Sequence, residues 1–331
     1  MVCLLSFSKN FGTFVGPDVT LAVLSVLHSG KYLRKMNFTH IVLIPKKNDP
    51  QNITDFHPIS LGNVVSYIVS KVLANWVKSI LPNVISDAQS AFIPNRLITN
   101  NTTVAYEMLH RMRNQRKGKT CHMAIKLDIS KAYDRVEWSF LRRIMLKMGL
   151  PDQWVNLAME TVRTASYSIL INGEPKGLIK PTRGIKQGDC AERLSSVIKG
   201  YSKLPRWHSY PHLLFVDDSL LFCETKRGEW QQLLDILTQY EEASGQAINK
   251  QKTTIFFSKN TTPSVKEEIQ NLFGAQVMTN CEQYLGLPMV RGKSKVNTFK
   301  DLQEQITKRV IRWKEKIISK AGREVLIKMV A

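Results

Sequence analysis

Two short apolar segments of this 331-residue chain carry acids where burial should exclude them. The first, His122-Met123-Ala124-Ile125-Lys126-Leu127-Asp128, ends at a carboxylate. The second, Leu213-Leu214-Phe215-Val216-Asp217-Asp218-Ser219-Leu220-Leu221-Phe222, holds a pair of them in its middle. A lone Asp-Asp pair usually marks a turn or a solvated loop. In so apolar a run, charged groups are costly unless a cation compensates them. If both segments are neighbouring strands of one sheet, their carboxylates form a set of hard oxygen donors. That is the donor set for phosphoryl transfer by a pair of magnesium ions, one lowering the pKa of an attacking hydroxyl and one stabilising a leaving pyrophosphate.

The elements that must position these acids can be read from apolar periodicity. The spacing predicts a helix over 19–27, closed by His28-Ser29-Gly30, then a strand over 39–45 and a polar run over 46–55 that leads to a returning strand near 59–61. This is a basic hairpin. Amphipathic helices follow over 68–81 and 101–113, the second running into the basic tract 111–119. The segment 122–128 reads as a buried strand, 138–148 and 152–161 as helices, and 167–171 as a strand entering a hairpin turn at Asn172-Gly173-Glu174. The segment 213–222 is a strand interrupted at its acids. A helix over 230–243 stops near Gly245, a strand occupies 253–257, and a basic helix pair around Gly322 occupies 310–329.

Composition bounds what such a body could bind. Hydrophobic residues at 43% and charged residues at 22% place the chain among folded globular proteins and exclude collagen-like, disordered and disulfide-scaffold classes. The length suits one continuous body with subdomains. Lysine and arginine total 47 against 27 acids, a net charge of +20, so nucleic acid is the default partner and a merely solvated basic surface the plainer alternative. Cys3, Cys121, Cys190, Cys223 and Cys281 stand singly, without the paired spacing of zinc sites, as expected of a reduced, intracellular protein. The opening seven residues show no basic leader, and no apolar run is long enough to span a bilayer, so neither secretion nor membrane insertion is expected.

The order and context of these segments carry a family resemblance. Phe215-Val216-Asp217-Asp218 resembles the F-x-D-D signature of reverse transcriptases, and Leu127-Asp128-Ile129-Ser130-Lys131-Ala132-Tyr133-Asp134 resembles their first aspartate motif. Arg183-Gly184-Ile185-Lys186-Gln187-Gly188-Asp189 is similar to the R-G-x-x-Q-G-D segment between them. Gly245-Gln246-Ala247-Ile248-Asn249-Lys250-Gln251-Lys252 is similar to the G-x-x-x-N-x-x-K segment that follows, and Tyr284-Leu285-Gly286 to the Y-L-G primer grip. Upstream, Ile44-Pro45-Lys46, Phe56-His57-Pro58-Ile59-Ser60 and Gln89-Ser90-Ala91-Phe92-Ile93-Pro94-Asn95-Arg96 are similar to fingers motifs of non-LTR enzymes. Over almost its whole length the chain resembles the reverse transcriptase of a plant LINE-type (non-LTR) retrotransposon.

That resemblance implies a mixed α/β (α+β) right-hand polymerase, with residues 1–120 forming an N-terminal segment and fingers, 121–290 the palm, and 291–331 the start of an incomplete thumb. It implies RNA-directed DNA polymerisation with Mg2+, or alternatively Mn2+, as cofactor, and an RNA template, a DNA primer and deoxynucleoside triphosphates as partners, in nucleus or cytoplasm. Asp128 and Asp217 would be the main metal ligands, Asp218 a supporting carboxylate and the Ile129 carbonyl a further donor. Tyr133 would lie under the incoming sugar and reject a 2′-hydroxyl, a position otherwise read as an ordinary core aromatic. Gln187 and Gly188 would line the nucleotide pocket, glycine letting backbone approach the substrate; alone, a Gln-Gly is a turn. Lys46 and Arg96 would face the triphosphate or template backbone, and Lys252 would protonate or neutralise departing pyrophosphate. The plainer reading of all three is solvated basic surface.

The pattern also breaks. The family continues past Q-G-D as P-L-S-P-x-L-F before an alanine-glutamate pair, whereas Asp189 here runs straight into Cys190-Ala191-Glu192, as if a pocket helix were deleted. His57 replaces the arginine of F-R-P-I-S, exchanging a permanently charged fork for a ring largely neutral at pH 7. Val216 stands where plant elements carry alanine. With no endonuclease, zinc knuckle or RNase H region in evidence, this resembles a truncated genomic copy. Two readings stay open: a working polymerase core, and a catalytically inactive basic remnant that binds nucleic acid. A third, an intron-maturase-like RNA-binding protein, should carry a dedicated RNA-binding extension.

Overall fold

Strand-forming residues on either side of the polar run 46–55 fold into an antiparallel hairpin, β1 (Phe38–Pro45) and β2 (Phe56–Leu61), in register from His40↔Leu61 to Pro45↔Phe56. The computed structural model describes residues 2–85, 89–90, 93, 95–130, 133–186, 212–215, 218–278, 283–285, 287–288 and positions 303, 304, 307 and 308. The helix pair expected over 310–329 lies outside them.

The first sheet has the order β2-β1-β5-β6, where β5 is Ser166–Ile171 and β6 is Glu174–Ile179. Asn172 and Gly173, at φ 52° and 84°, make the two-residue turn between β5 and β6, the conformation an Asn-Gly pair favours. The β1–β5 pairing is parallel, from Phe38↔Ser166 to Val42↔Leu170, and nothing in the local sequence announces it. The helices build an apolar core of their own. In α2 (Val64–Lys78), Ser66, Val69, Ser70, Leu73, Ala74 and Val77 recur at three- and four-residue spacing and form its buried face. They meet Val23 and Val26 of α1 (Val2–Ser29), Leu81 of α3 (Leu81–Val84), Leu141 and Met145 of α5 (Trp138–Lys147), and Val155, Ala158, Met159 and Val162 of α6 (Asp152–Arg163) in one apolar cluster. The helix expected over 19–27 is the C-terminal part of the longer α1, which stops at Gly30 as expected.

The second sheet has the order β11-β10-β3-β8-β7, with β3 His122–Leu127, β7 Leu213–Phe215, β8 Asp218–Glu224, β10 Thr254–Phe257 and β11 Gln276–Val277. Met123, Ile125, Leu127, Leu221 and Cys223 pack on one face against Trp230, Leu233 and Leu237 of α7 (Arg227–Ser244) and Ile269 and Phe273 of α8 (Pro263–Phe273). Ala124, Leu220 and Phe222 pack on the other against Ala105, Leu109 and Met112 of α4 (Ile98–Asn114). Covering both faces is why β3 and β8 read as continuous apolar runs rather than alternating ones. Two small pairs complete the described architecture: β4 (Ile129–Ser130) with β9 (Ala247–Ile248), and β12 (Gln283–Tyr284) with β13 (Leu287–Pro288). Among the described residues, no helix is long and apolar enough to cross a membrane.

Candidate active site

The acids of the two apolar segments arrive at one end of the second sheet. Strands β3 and β8 run antiparallel in register from His122↔Glu224 to Leu127↔Ser219, so Asp128 and Asp218 each lie one residue beyond the last paired step, where the ladder ends. Strand β7 pairs antiparallel with β8, with Phe215 opposite Asp218. Asp217 lies outside the described residues. Asp128 and Asp218 are half-buried, whereas the residues just inside them, Leu127 and Ser219, are buried. The carboxylates therefore sit at the rim of an apolar sheet, where water and a solvated ligand can reach them.

Further contacts fix the chain on either side of Asp128. Asn249 donates its backbone N–H to the Asp128 carbonyl (2.8 Å), and the Asp128 N–H points to Thr253 Oγ1 at 3.5 Å. The β4–β9 ladder continues this register, with Ile129 opposite Ile248. The Ile248 N–H turns away from β4 to Glu241 Oε1 (2.6 Å), which makes 129–248 a non-hydrogen-bonded pair and turns the Ile129 carbonyl away from β9. Lys252 belongs to the same turn: its N–H donates to the Asn249 carbonyl at 3.1 Å, and its side chain is exposed. The turn that holds Asp128 thus also carries the one candidate pyrophosphate cation named from this segment.

The loop after the first aspartate is gripped by glycines of two distant motifs. Gly184, at φ +81°, lies so close to Asp134 that an added Cβ would stand 2.6 Å from its carbonyl oxygen. Gly245, at φ +73°, lies so close that a Cβ would stand 2.7 Å from the Arg135 carbonyl oxygen. Only glycine combines a left-handed φ with that approach. Hydrogen bonds knit the three segments together: Gly184 N to the Val136 carbonyl (2.8 Å), Ile185 N to that of Tyr133 (3.0 Å), Glu137 N to that of Ser244 (2.9 Å) and Trp138 Nε1 to that of Gly184 (2.7 Å). Tyr133 is half-buried, its ring against the helical core. Gln187 and Gly188 lie outside the described residues, but the chain that delivers them is fixed as far as Lys186.

Lys186 was not legible as a site residue from the sequence. Its Nζ donates to Thr39 Oγ1 (2.7 Å) on β1, and a Cβ at Gly62 would stand 2.5 Å from that nitrogen. The segment that leads to Gln187 is thereby pinned to the first sheet. Lys46 opens the hairpin loop that follows β1 and donates its ammonium to the Thr54 carbonyl (2.8 Å). Its neighbour Lys47 pairs with Asp55 (2.9 Å), and that contact, with the Asn52 N–H, holds the Asp55 carboxyl below the usual range. His57 is exposed on β2 opposite Ile44. Arg96 donates to the Gln89 carbonyl (2.7 Å), and Gln89 bridges in parallel to Leu214 on β7. Ser90 N and Asn101 Nδ2 both donate to the Leu214 carbonyl (3.2 Å each), so the Gln89-Ser90 segment is tied to β7.

Tyr284 is buried against Leu213, Leu220 and Phe222. Burial and then the Asp218 charge push its hydroxyl above the usual tyrosine range. Leu285 follows at φ +51°, a left-handed conformation that costs a non-glycine residue roughly 1 kcal/mol.

Among the described residues, no group of three or more His, Cys, Asp or Glu side chains is arranged to hold a metal. Asp128 and Asp218, with the Ile129 carbonyl turned out beside them, offer two carboxylates and a carbonyl, donors that fit a hard divalent cation.

A family model described as reverse transcriptase (RNA-dependent DNA polymerase) matches residues 44–289. The chain is similar to the Transposon TX1 uncharacterized 149 kDa protein of Xenopus laevis, 28% identical over 184 residues, which are 56% of this chain and 14% of that protein. It is also similar to the Retrovirus-related Pol polyprotein from type-2 retrotransposable element R2DM of Drosophila melanogaster, 25% identical over 237 residues, 69% of this chain and 22% of that protein. The chain thus spans less than a quarter of either relative. Among solved structures, apo telomerase from Candida tropicalis truncated from its C-terminal domain superposes with a TM-score of 0.51 at 14% identity, over 76% of this chain and 53% of that one. Apo telomerase from the same organism gives 0.50 at 12% identity, over 80% and 49%. At such identities the likeness is one of fold, a mixed α/β polymerase fold.

Proposed function

Because the chain belongs to the reverse transcriptase (RNA-dependent DNA polymerase) family, we propose that it is the polymerase core of a non-LTR retrotransposon, of plant LINE type, extending a DNA primer on an RNA template from deoxynucleoside triphosphates. The observation that carries this reading is the placement of Asp128 and Asp218 at the open end of β3 and β8. Similarity to the R2DM and TX1 proteins supports the non-LTR assignment, while the plant LINE type rests on the sequence resemblance alone. On this reading residues 1–120 form the fingers, 121–290 the palm and 291–331 the start of the thumb, with β5 and β6 reaching back to complete the fingers sheet. The enzyme would work in the nucleus or cytoplasm.

Asp128, Asp217 and Asp218 would hold Mg2+, or Mn2+ in its place, with the Ile129 carbonyl as a further ligand. Bound there, the metal supplies Lewis acidity for the primer hydroxyl and charge compensation for pyrophosphate. Tyr133, set by the glycine-gripped loop, would bear on the sugar of the incoming nucleotide; Gln187 and Gly188 would line its pocket. Lys252 would offset or protonate the departing pyrophosphate, and Lys46 and Arg96 would offer charge to triphosphate or template.

A second reading, an inactive basic remnant that binds nucleic acid, is favoured by one observation. Only 30 positions separate Gln187 from Asp217, and the chain passes from Asp189 straight to Cys190-Ala191-Glu192. This interval lies outside the described residues. Primer extension on poly-rA with magnesium tests both, comparing the chain, Asp217→Ala, and a version with the pocket helix restored. Extension by the chain, lost in Asp217→Ala, supports a working polymerase. Extension only by the restored version makes this copy a broken enzyme.

A further inference from the structure

The second sheet has another end, and it is strongly cationic. Helix α4 closes on Arg111 and Arg113, and the loop beyond it carries Arg116, Lys117 and Lys119, with no acid anywhere in 111–119. Lys259 joins them, its backbone N–H reaching the Met112 carbonyl at 3.4 Å. The loop is held in shape: Gln115 donates to the Thr120 carbonyl (2.8 Å), and Asn260 donates to the carbonyls of Gly118 (3.1 Å) and Thr120 (2.9 Å). Arg111, Arg116, Lys117, Lys119 and Lys259 are all exposed and, among the described residues, carry no ion pair. Nearby cations differ: Lys226 pairs with Glu224 (2.6 Å) and Arg227 with Glu268 (3.8 Å). The tract therefore holds a set of cations with fixed backbones and, among the described residues, no ion pair of their own, while the nearby Glu224 is already met by Lys226; this excess of positive charge favours an external polyanion.

One turn before the tract, Tyr106 and the exposed His110 stack with ring centroids 6.1 Å apart and planes 10° from parallel. A flat ring beside a row of cations suits a strand with both phosphates and bases, whereas an acidic peptide would use only the charge. Asp128 is at the opposite end of β3, whose six residues span about 20 Å. We infer that the Arg111–Lys119 tract with Lys259 is a second nucleic-acid site, which holds a single-stranded segment of template or displaced strand away from the aspartates. The inference goes beyond the polymerase reading and does not need this copy to be active.

Anisotropy of a short labelled single-stranded oligonucleotide, titrated over a range of salt, tests it on the full chain. The variant Arg111→Gln/Arg116→Gln/Lys117→Gln/Lys119→Gln is compared with Lys31→Gln/Lys35→Gln/Lys71→Gln/Arg163→Gln, which loses equal charge elsewhere on the surface. Each lost phosphate contact lowers the slope of log K against log salt by about 0.7 for a single strand, so the first variant should lose about 2 to 3 in slope and the second far less. On the unmodified chain, oligonucleotide should shield Lys117, Lys119 and Lys259 from acetylation, a readout that needs no variant to fold. Equal slopes for the two variants, acetylation unchanged by oligonucleotide, or equal protection by polyglutamate would each overturn the inference. Primer extension, measured separately, reports on the polymerase reading alone.

Discussion

Asp128 and Asp218 each lie one residue beyond Leu127↔Ser219, the last paired step of β3 and β8, in a ladder whose opposed Cα atoms stand about 4.5–5.5 Å apart. Two like charges so close repel unless a cation lies between them. Asp128→Asn and Asp218→Asn should each remove magnesium-dependent primer extension while leaving the melting temperature in metal-free buffer unchanged or slightly raised. A variant that still extends would displace that residue from the metal site. A variant that melts much earlier would make its role structural.

Gly184 and Gly245 press on the same loop, 133–137, at Asp134 and at Arg135. Each carries a positive φ and meets a backbone oxygen that cannot step aside. Gly184→Ala or Gly245→Ala should cost about 2–4 kcal/mol, the sum of left-handed strain and local overpacking. Since both displace one loop, the double substitution should cost less than the sum of the two. Urea unfolding of the four chains measures this, and strict additivity would mean that the two contacts act independently.

Lys186 joins the segment that leads to Gln187 with the first sheet through Thr39, whose side chain is fully buried. A hydrogen bond from a charged donor to so shielded a hydroxyl is worth about 1.5–3 kcal/mol. Lys186→Met and Thr39→Val, combined in a double-mutant cycle, should show a coupling energy of about 1 kcal/mol or more. A coupling near zero would mean that the contact contributes nothing.

His122 gives the cationic end a pH dependence. Burial depresses its pKa below the ordinary 6.5; the Glu224 charge opposes that shift and Arg111 adds to it. The folded chain therefore takes up this proton later than the unfolded chain does. As pH falls, stability starts to drop near 6.5, and the loss is complete below the depressed folded value. Above 6.5 both states are neutral and the residue adds no slope. His122→Gln should flatten the change in urea midpoint across this window; an unchanged slope would assign the acid sensitivity to other groups.

How much of this could be read beforehand depended on where the determining contacts lie. Strands β3 and β8 were legible because both faces are covered, which leaves an unbroken apolar run, and an acid at the end of such a run stands out. The Asn172-Gly173 turn announces itself by residue type alone. The parallel β1–β5 pairing does not, since its partners are 128 positions apart and no local turn encodes it. Helix α8 did leave signs, Pro263 at its start and Gly274 at its end, with Ile269 and Phe273 on one face, and those could have found it. Lys186 occupies a variable position of its motif, and its importance appears only once Gly62 and Thr39 are beside it. Gln187 and Gly188 were named from the resemblance, and Asp217 from its place in an apolar run; all three lie outside the described residues.

The parallel seam between β1 and β5 also sets an order of events during synthesis. When the ribosome has made the first 120 residues, β1 has one partner and one bare edge, and it waits for residues 166–171 to emerge before its sheet can close. Non-local pairing of this kind folds slowly. A fragment ending at residue 120 would expose that edge for good, so it should aggregate when expressed alone and be rescued by co-expression of the remainder of the chain.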